Sequence, residues 1–173
     1  AVFLLPHCIV PTLSACFDRM PNFLSEPATT TLNVGELLER HFGYRSFRPQ
    51  QKEVIDHVLK GNDAIVLMPT GGGKSICFQL PALAFDGLTV VISPLIALMK
   101  DQVQALQGNG IAAAYLNSSL SYNEEQEINR ELRSGAMKLL YVSPERLFQQ
   151  GFLERLEELN VKLFAVDEAH CIS

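Results

Sequence analysis

The chain lacks any pairing of cysteines suited to metal or to a disulfide framework. Cys8, Cys16, Cys77 and Cys171 form no Cys-x-x-Cys unit, and no histidine stands at ligand spacing from them. A zinc module and a secreted disulfide scaffold are thereby disfavoured, and a reducing cytosol is the simplest setting. Positive charge is also scarce: the formal net charge is −5, so a phosphate-backbone partner is not drawn by overall charge, and any nucleic-acid contact has to be local. There is no long unbroken apolar run. Residues 1–17 are apolar but interrupted by Pro6, His7 and Pro11, too short and broken for a membrane helix. They carry no basic leader, although Leu13-Ser14-Ala15-Cys16 has the look of a lipoprotein cleavage box. No methionine begins the chain, whereas Met20 is followed by a polar lead-in. Residues 1–31 therefore read as an atypical arm, disordered or non-native, and residues 32–173 as the ordered part. Internal repeats and low-complexity segments are absent, which excludes solenoids and arrays.

What is present is enough apolar material, 47% of 173 residues, for one domain with a sizeable core. Its centre is Met68-Pro69-Thr70-Gly71-Gly72-Gly73-Lys74-Ser75. An apolar run at residues 64–67 precedes it, expected as a buried parallel strand, and an apolar helix follows. Strand, glycine turn and helix make a phosphate cradle: glycines let backbone N–H groups turn inward, at the positive end of the next helix. Thr70, Gly71, Gly72 and Gly73 would wrap the phosphates. Lys74 would reach the β and γ phosphates, and Ser75 would offer its hydroxyl to Mg²⁺. Where the general phosphate-loop pattern has its first glycine, this chain has Met68, a departure common in helicase-type motors.

Around this loop apolar strands alternate with amphipathic helices. Strands are expected near residues 88–92, 111–116, 138–142 and 161–166, and helices near 34–42, 49–60, 95–106, 122–134 and 152–159. Pro49 is expected to open the second helix, Pro81 to end or kink the one after the phosphate loop, and Ser121 with Glu124 to form a capping box. Each of those strands ends in a polar cluster. The pattern predicts an open, mostly parallel α/β sheet with ligands outside the carboxyl ends of its strands.

Two clusters complete the nucleotide chemistry. Asp167 and Glu168 end the last apolar strand; Asp167 would hold Mg²⁺ and Glu168 would orient and deprotonate the attacking water. Upstream, Gln51 carries a donor and an acceptor side by side, a match for the N6 and N7 edge of adenine, and Tyr44 offers a stacking face. An arginine finger is missing; Arg48 and Arg146 are candidates by residue type alone.

Together these residues resemble the RecQ family of superfamily 2 DNA helicases. The resemblance is carried by Phe42-Gly43-Tyr44 with Phe47-Arg48-Pro49 and Gln51, by residues 68–75, by Ser93-Pro94-Leu95-Ile96-Ala97-Leu98-Met99-Lys100-Asp101-Gln102, and by Asp167-Glu168-Ala169-His170-Cys171-Ile172-Ser173. It implies a three-layer RecA-like P-loop fold, incomplete at its C-terminus, and ATP-driven 3′ to 5′ translocation and unwinding in DNA repair and recombination. It also implies that Tyr44, Arg48 and Gln51 bind the base, that Lys74, Asp167 and Glu168 carry hydrolysis, and that His170 couples hydrolysis to DNA. For the DNA side, Ser93, Asn117, Ser118, Ser119 and Ser143 are small polar groups suited to sugar and phosphate contacts, and Lys100 adds charge. The resemblance ends at Ser173, before the family's aromatic-rich loop, second motor lobe, zinc-binding and winged-helix regions. Weak nucleotide binding and little unwinding are expected of these residues alone. A self-contained P-loop kinase or other NTPase, and a non-catalytic DNA- or partner-binding product, remain as alternatives.

Overall fold

The computed structural model describes residues 2–5, 33–69, 71–147 and 149–168. In chain order the elements are β1 (Val2–Leu5), α1 (Val34–Phe42), α2 (Gln51–Leu59), β2 (Ala64–Val66), α3 (Ile76–Ala84), β3 (Leu88–Ile92) and α4 (Ile96–Gly108). There follow β4 (Ala113–Leu116), α5 (Tyr122–Arg133), β5 (Leu139–Val142), α6 (Pro144–Leu147), α7 (Phe152–Glu157) and β6 (Val161–Val166).

The helix ends follow local chemistry. Asn33 caps α1 by accepting from the Gly35 N–H at 3.0 Å, and Gly43 closes it in the left-handed region at φ 72°. Ser121 and Glu124 form the expected capping box on α5. Pro81 neither ends nor replaces α3, which runs on to Ala84 with the proline inside it. Pro49 does not open α2. Gln50 takes a left-handed conformation at φ 70° and the helix starts at Gln51. The short α6 was not foreseen; Ser143 and Pro144 start a single turn there.

Six strands form one sheet in the order β2-β1-β6-β3-β5-β4. β6, β3, β5 and β4 are mutually parallel. β1 is antiparallel to both of its neighbours, β2 and β6, so those two point the same way. Every strand but β1 therefore delivers its carboxyl end to one rim. Here the reading of residues 1–31 as an arm outside the fold is corrected for Val2–Leu5, which pair within the sheet. The expectation of a buried parallel strand before the phosphate loop is also corrected. β2 is an edge strand paired with antiparallel β1, and Ile65 and Leu67 stand 67% and 76% exposed. β2 lies at the sheet's end with α2 packed against it, and among the described residues its alternate side chains meet solvent.

Side-chain alternation splits the core into the two outer layers of a three-layer fold. Val91, Leu139, Tyr141, Leu163 and Ala165 pack with α2, α3 and α4, while Val90, Ile92, Leu140, Val142 and Phe164 pack with α5, α6 and α7. All five residues of β3 are buried. At roughly 1.5–3 kcal/mol per large apolar side chain, that central strand fixes the register of its neighbours. α1 sits outside this layer, its Leu38 buried against Ile55 of α2 and Ile76 and Leu80 of α3. Among the described residues no helix is long and apolar enough to cross a membrane.

Candidate nucleotide site

The phosphate loop leaves β2 and enters α3. Gly71 and Gly73 lie in the left-handed region at φ 77° and 81°. Gly73 has a second reason to be glycine: a Cβ there would stand 2.4 Å from Nε2 of Gln51. Thr70 lies outside the described residues, as does His170.

Gln51 is not exposed at a helix start. It is buried, and both ends of its amide are engaged: Oε1 accepts from the Arg48 N–H at 2.8 Å, and Nε2 donates to the Gly73 carbonyl at 2.9 Å. Arg48 Nη1 donates to the Gly71 carbonyl. The segment expected to read adenine is thus tied to the phosphate loop at two points, and its glutamine acts as a strut between them. Tyr44, Arg48, Gln51, Gly73 and Ser75 line one cavity of about 540 Å³, which Tyr44 borders as an exposed ring. That volume suits a small ligand such as a nucleoside.

Lys74 turns back across its own loop. Nζ lies 3.4 Å from the Met68 carbonyl and 4.0 Å from Oε1 of Glu168, with both side chains largely buried. The pairing is possible because β2 and β6 end on the same rim with a single strand between them, about 10 Å apart at the usual interstrand spacing. Asp167 is buried. Burial pushes its carboxyl up from the ordinary range, against the hydrogen bond its Oδ1 accepts from the Glu168 N–H at 2.9 Å. Glu168 itself holds a left-handed φ of 49°, a conformation that costs a non-glycine residue and is found most at working sites.

Along the rim from Asp167, the strand ends follow one another through backbone bonds. Asp167 N donates to Ile92 O, Ser93 N to Val142 O, and Ser143 N to Leu116 O. Three of the residues expected to contact DNA are buried: Ser93, Ser143 and Asn117 are 1%, 2% and 3% exposed. They are the first residues beyond three buried strands, and the strands' burial extends over them. Ser93 Oγ and Asn117 Nδ2 have no partner among the described residues. Ser118 and Ser119 are exposed in the following turn, with Asn117 Oδ1 accepting from Ser119 N and Oγ. Lys100 is exposed on α4, 5.8 Å from the centre of the Tyr115 ring. Arg146 is committed elsewhere. It pairs with Glu125 of α5, which Arg155 also approaches at 3.9 Å, so it is no free finger.

Sequence reasoning missed one polar group in this region: Gln79, Gln102 and Tyr141, hydrogen-bonded to one another beneath the cavity. A signal existed, since Gln79 is the single polar residue in the otherwise apolar Ile76–Ala84 helix.

A glycine loop entering a helix, a lysine reaching an acidic strand end, and a parallel sheet that gathers both on one rim define a P-loop nucleotide-binding domain. Comparison with known proteins gives the particular family. The chain belongs to the DEAD/DEAH box helicases, which it matches over residues 48–173. It is 55% identical over 138 residues to the protein named ATP-dependent DNA helicase RecQ in Pasteurella multocida, covering 80% of this chain and 22% of that one. To the protein of the same name in Haemophilus influenzae it is 56% identical over 144 residues, 83% of this chain and 23% of the relative. A plant relative, ATP-dependent DNA helicase Q-like 4B of Arabidopsis thaliana, is 48% identical over 154 residues, 85% of this chain and 13% of the relative. The likeness to RecQ drawn from the four motifs stands, and the three-layer α/β sheet is that of a RecA-like helicase domain. The chain spans about a quarter or less of these relatives.

Proposed function

We propose that this chain is the nucleotide-binding part of an ATP-dependent DNA helicase of RecQ type, residues 32–173 forming most of a RecA-like lobe. ATP is the substrate and single-stranded DNA the track. Unwinding runs 3′ to 5′ in repair and recombination, and a second lobe completes the site. The observation that carries this reading is the approach of Lys74 to Glu168, 4.0 Å apart from two loops distant in sequence. A cation for the phosphates and a carboxylate for water are what phosphoryl transfer requires, because that reaction is catalysed mostly by positioning and charge neutralisation.

The residues divide the work. Tyr44 stacks on the base, and Arg48 and Gln51 hold the loop against it. Gly71, Gly72 and Gly73 present backbone N–H groups to the phosphates, with Thr70 beside them. Lys74, released from Glu168 and the Met68 carbonyl, moves onto the β and γ phosphates, and Glu168 then accepts a proton from the attacking water. His170, two residues beyond Glu168 in the sequence, links this step to DNA. Ser75 and the Asp167 carboxylate are a donor set that fits Mg²⁺, which keeps few protein ligands and takes the rest from phosphates and water; bound there, it neutralises phosphate charge. On the DNA side, Lys100 and Ser118 meet the backbone from the surface. Ser93, Asn117 and Ser143 lie buried just under it; Ser93 Oγ and Asn117 Nδ2, without a partner among the described residues, would bond a phosphate or its water once the strand ends open.

ATP hydrolysis, measured with and without single-stranded DNA on residues 1–173 and on the full-length protein, tests the reading. Hydrolysis stimulated by DNA in the full-length protein, with weak nucleotide binding and no unwinding by residues 1–173, is expected. DNA-independent turnover by residues 1–173 would identify a self-contained NTPase instead.

A further inference from the structure

Three polar side chains meet in the middle of an apolar layer. Gln79 of α3 donates from Nε2 to Tyr141 Oη at 3.0 Å and lies 3.4 Å from Gln102 Oε1, while Tyr141 Oη of β5 donates to the same Gln102 oxygen at 2.7 Å. Around them stand Phe78, whose ring meets Tyr141 edge-on at 6.5 Å, and Met99 and Val103. Tyr141 is fully buried and Gln79 nearly so. Apolar residues of similar shape could fill most of this space at little cost, because a buried hydrogen bond adds only about 0.5–1.5 kcal/mol net of the water it displaces. Stability alone therefore does not account for three polar groups here.

Their positions do. Gln79 lies one helical turn beyond Ser75, on the same face of α3, and its N–H bonds the Ser75 carbonyl at 2.8 Å. Gln79 and Gln102 both line the cavity that the phosphate loop borders. Gln102 belongs to α4, the helix that carries Lys100, and Tyr141 stands two residues before Ser143 on the strand between them. The group thus joins the helix that starts at the phosphate loop to the two elements of the DNA-facing rim. Gln79 Nε2 donates to both acceptors, at 3.0 and 3.4 Å, so a shift of α3 along its axis pulls on Tyr141 and Gln102 together. A displacement of α3 at the phosphate loop is thereby passed through shared hydrogen bonds to α4 and β5, a contiguous path of the kind that carries coupling between sites.

We propose that Tyr141 is a positioning residue whose hydroxyl, held between Gln79 and Gln102, transmits the state of the nucleotide site to α4 and the DNA rim. The inference rests on the DNA-dependent ATPase reading above. Burial also pushes the Tyr141 phenol well above its ordinary range, which keeps it a neutral donor at any working pH.

The test uses the full-length protein and Tyr141→Phe, which keeps the ring and removes the hydroxyl. Affinity for a fluorescent non-hydrolysable ATP analogue is measured with and without oligothymidine, alongside steady-state hydrolysis. Without DNA, affinity and KM for ATP are expected to stay within about twofold of the parent, whereas the DNA-induced rise in kcat falls by about fivefold or more, the lower end of ordinary coupling. A second variant, Gln79→Leu with Tyr141→Phe and Gln102→Leu, removes every partner at once. It is expected to melt near the parent temperature and still lack DNA stimulation; it decides the matter should the single variant not fold. Full DNA stimulation in Tyr141→Phe, or its return in the triple variant, would overturn the inference alone. A parent protein that DNA does not stimulate would overturn the functional reading, and the inference with it.

Discussion

At the β2 and β6 end of the rim, four long side chains tie one loop to another, whereas at the β3, β5 and β4 end three short ones lie buried with two polar atoms unanswered among the described residues. Gln51, Arg48, Lys74 and Glu168 make the first end: glutamine and arginine brace the glycine loop, and lysine spans to the opposite strand. Ser93, Ser143 and Asn117 make the second, held by backbone bonds between neighbouring strand ends. The glycine loop at the first end is braced before any ligand arrives, which limits the reorganisation left for the reaction to the move of Lys74 from Glu168 onto the phosphates. The second leaves hydrogen-bonding capacity open, which suits a partner that is bound and released repeatedly. Substitutions at the two ends should therefore fail differently, the first in chemistry and the second in response to DNA.

The largest effect is expected from Lys74→Ala. Removing the cation that would reach the phosphates should lower kcat for ATP hydrolysis at least about 100-fold, the scale of losing one charge-stabilising group. Stability should fall by no more than about 1–2 kcal/mol, since the Glu168 contact is long at 4.0 Å although both side chains are largely buried. Hydrolysis that survives the change would show that the phosphates sit elsewhere. Next comes Gly73→Ala, which imposes a left-handed alanine at φ 81° and drives a methyl against Gln51 Nε2. About 1–3 kcal/mol of stability should go, with the Gln51 strut, and nucleotide affinity should weaken about tenfold. Thermal melting and titration with a fluorescent nucleotide measure the two losses together.

Ser93→Ala probes the other end and should look opposite. Its hydroxyl has no partner among the described residues, so its removal should leave stability within about 0.5 kcal/mol or raise it slightly, while DNA stimulation of hydrolysis drops about threefold. A clear drop in melting temperature would mean that the hydroxyl is satisfied within the fold, and the contrast between the two ends would shrink.

How far the sequence speaks for itself differs between these ends for the same physical reason. The phosphate loop, the acidic strand end and the capping box are local: their chemistry requires certain residues at fixed spacing, so the places of Gly73, Lys74, Asp167 and Ser121 could be read directly, as could the β6 strand and the open α/β sheet, whose three layers the family resemblance implies. Burial and pairing are not local. Nothing in Ala64-Ile65-Val66 says that its neighbour will be antiparallel Val2–Leu5 and that it will lie at the edge. Nothing in Ser93 or Asn117 says that the strand ends sink below the surface. Gln51 could be placed in the right helix but not oriented, because an amide on a first turn can face solvent, a base or the next loop, and only the packed loop decides. The Gln79 group needed three elements to assemble before it had any meaning.

The smallest expected effect refines the idea that the nucleotide end is organised in advance. Gln50 holds φ 70° at the start of α2, with no side-chain capping bond, and is exposed. A left-handed residue with a Cβ costs about 1–2 kcal/mol, and glycine returns about 0.5–1 kcal/mol of that through its greater freedom in the unfolded chain. Gln50→Gly should therefore gain a few tenths to about 1 kcal/mol, raising the melting temperature by about 1–4 °C in a chain of this size. Nucleotide affinity should hold within about twofold, because the turn's shape is kept and Gln51 still reaches Gly73. Should affinity fall while the melting temperature rises, the strained turn itself is what aims Gln51 at the loop, and the organisation of this end would extend one residue further upstream than its hydrogen bonds show.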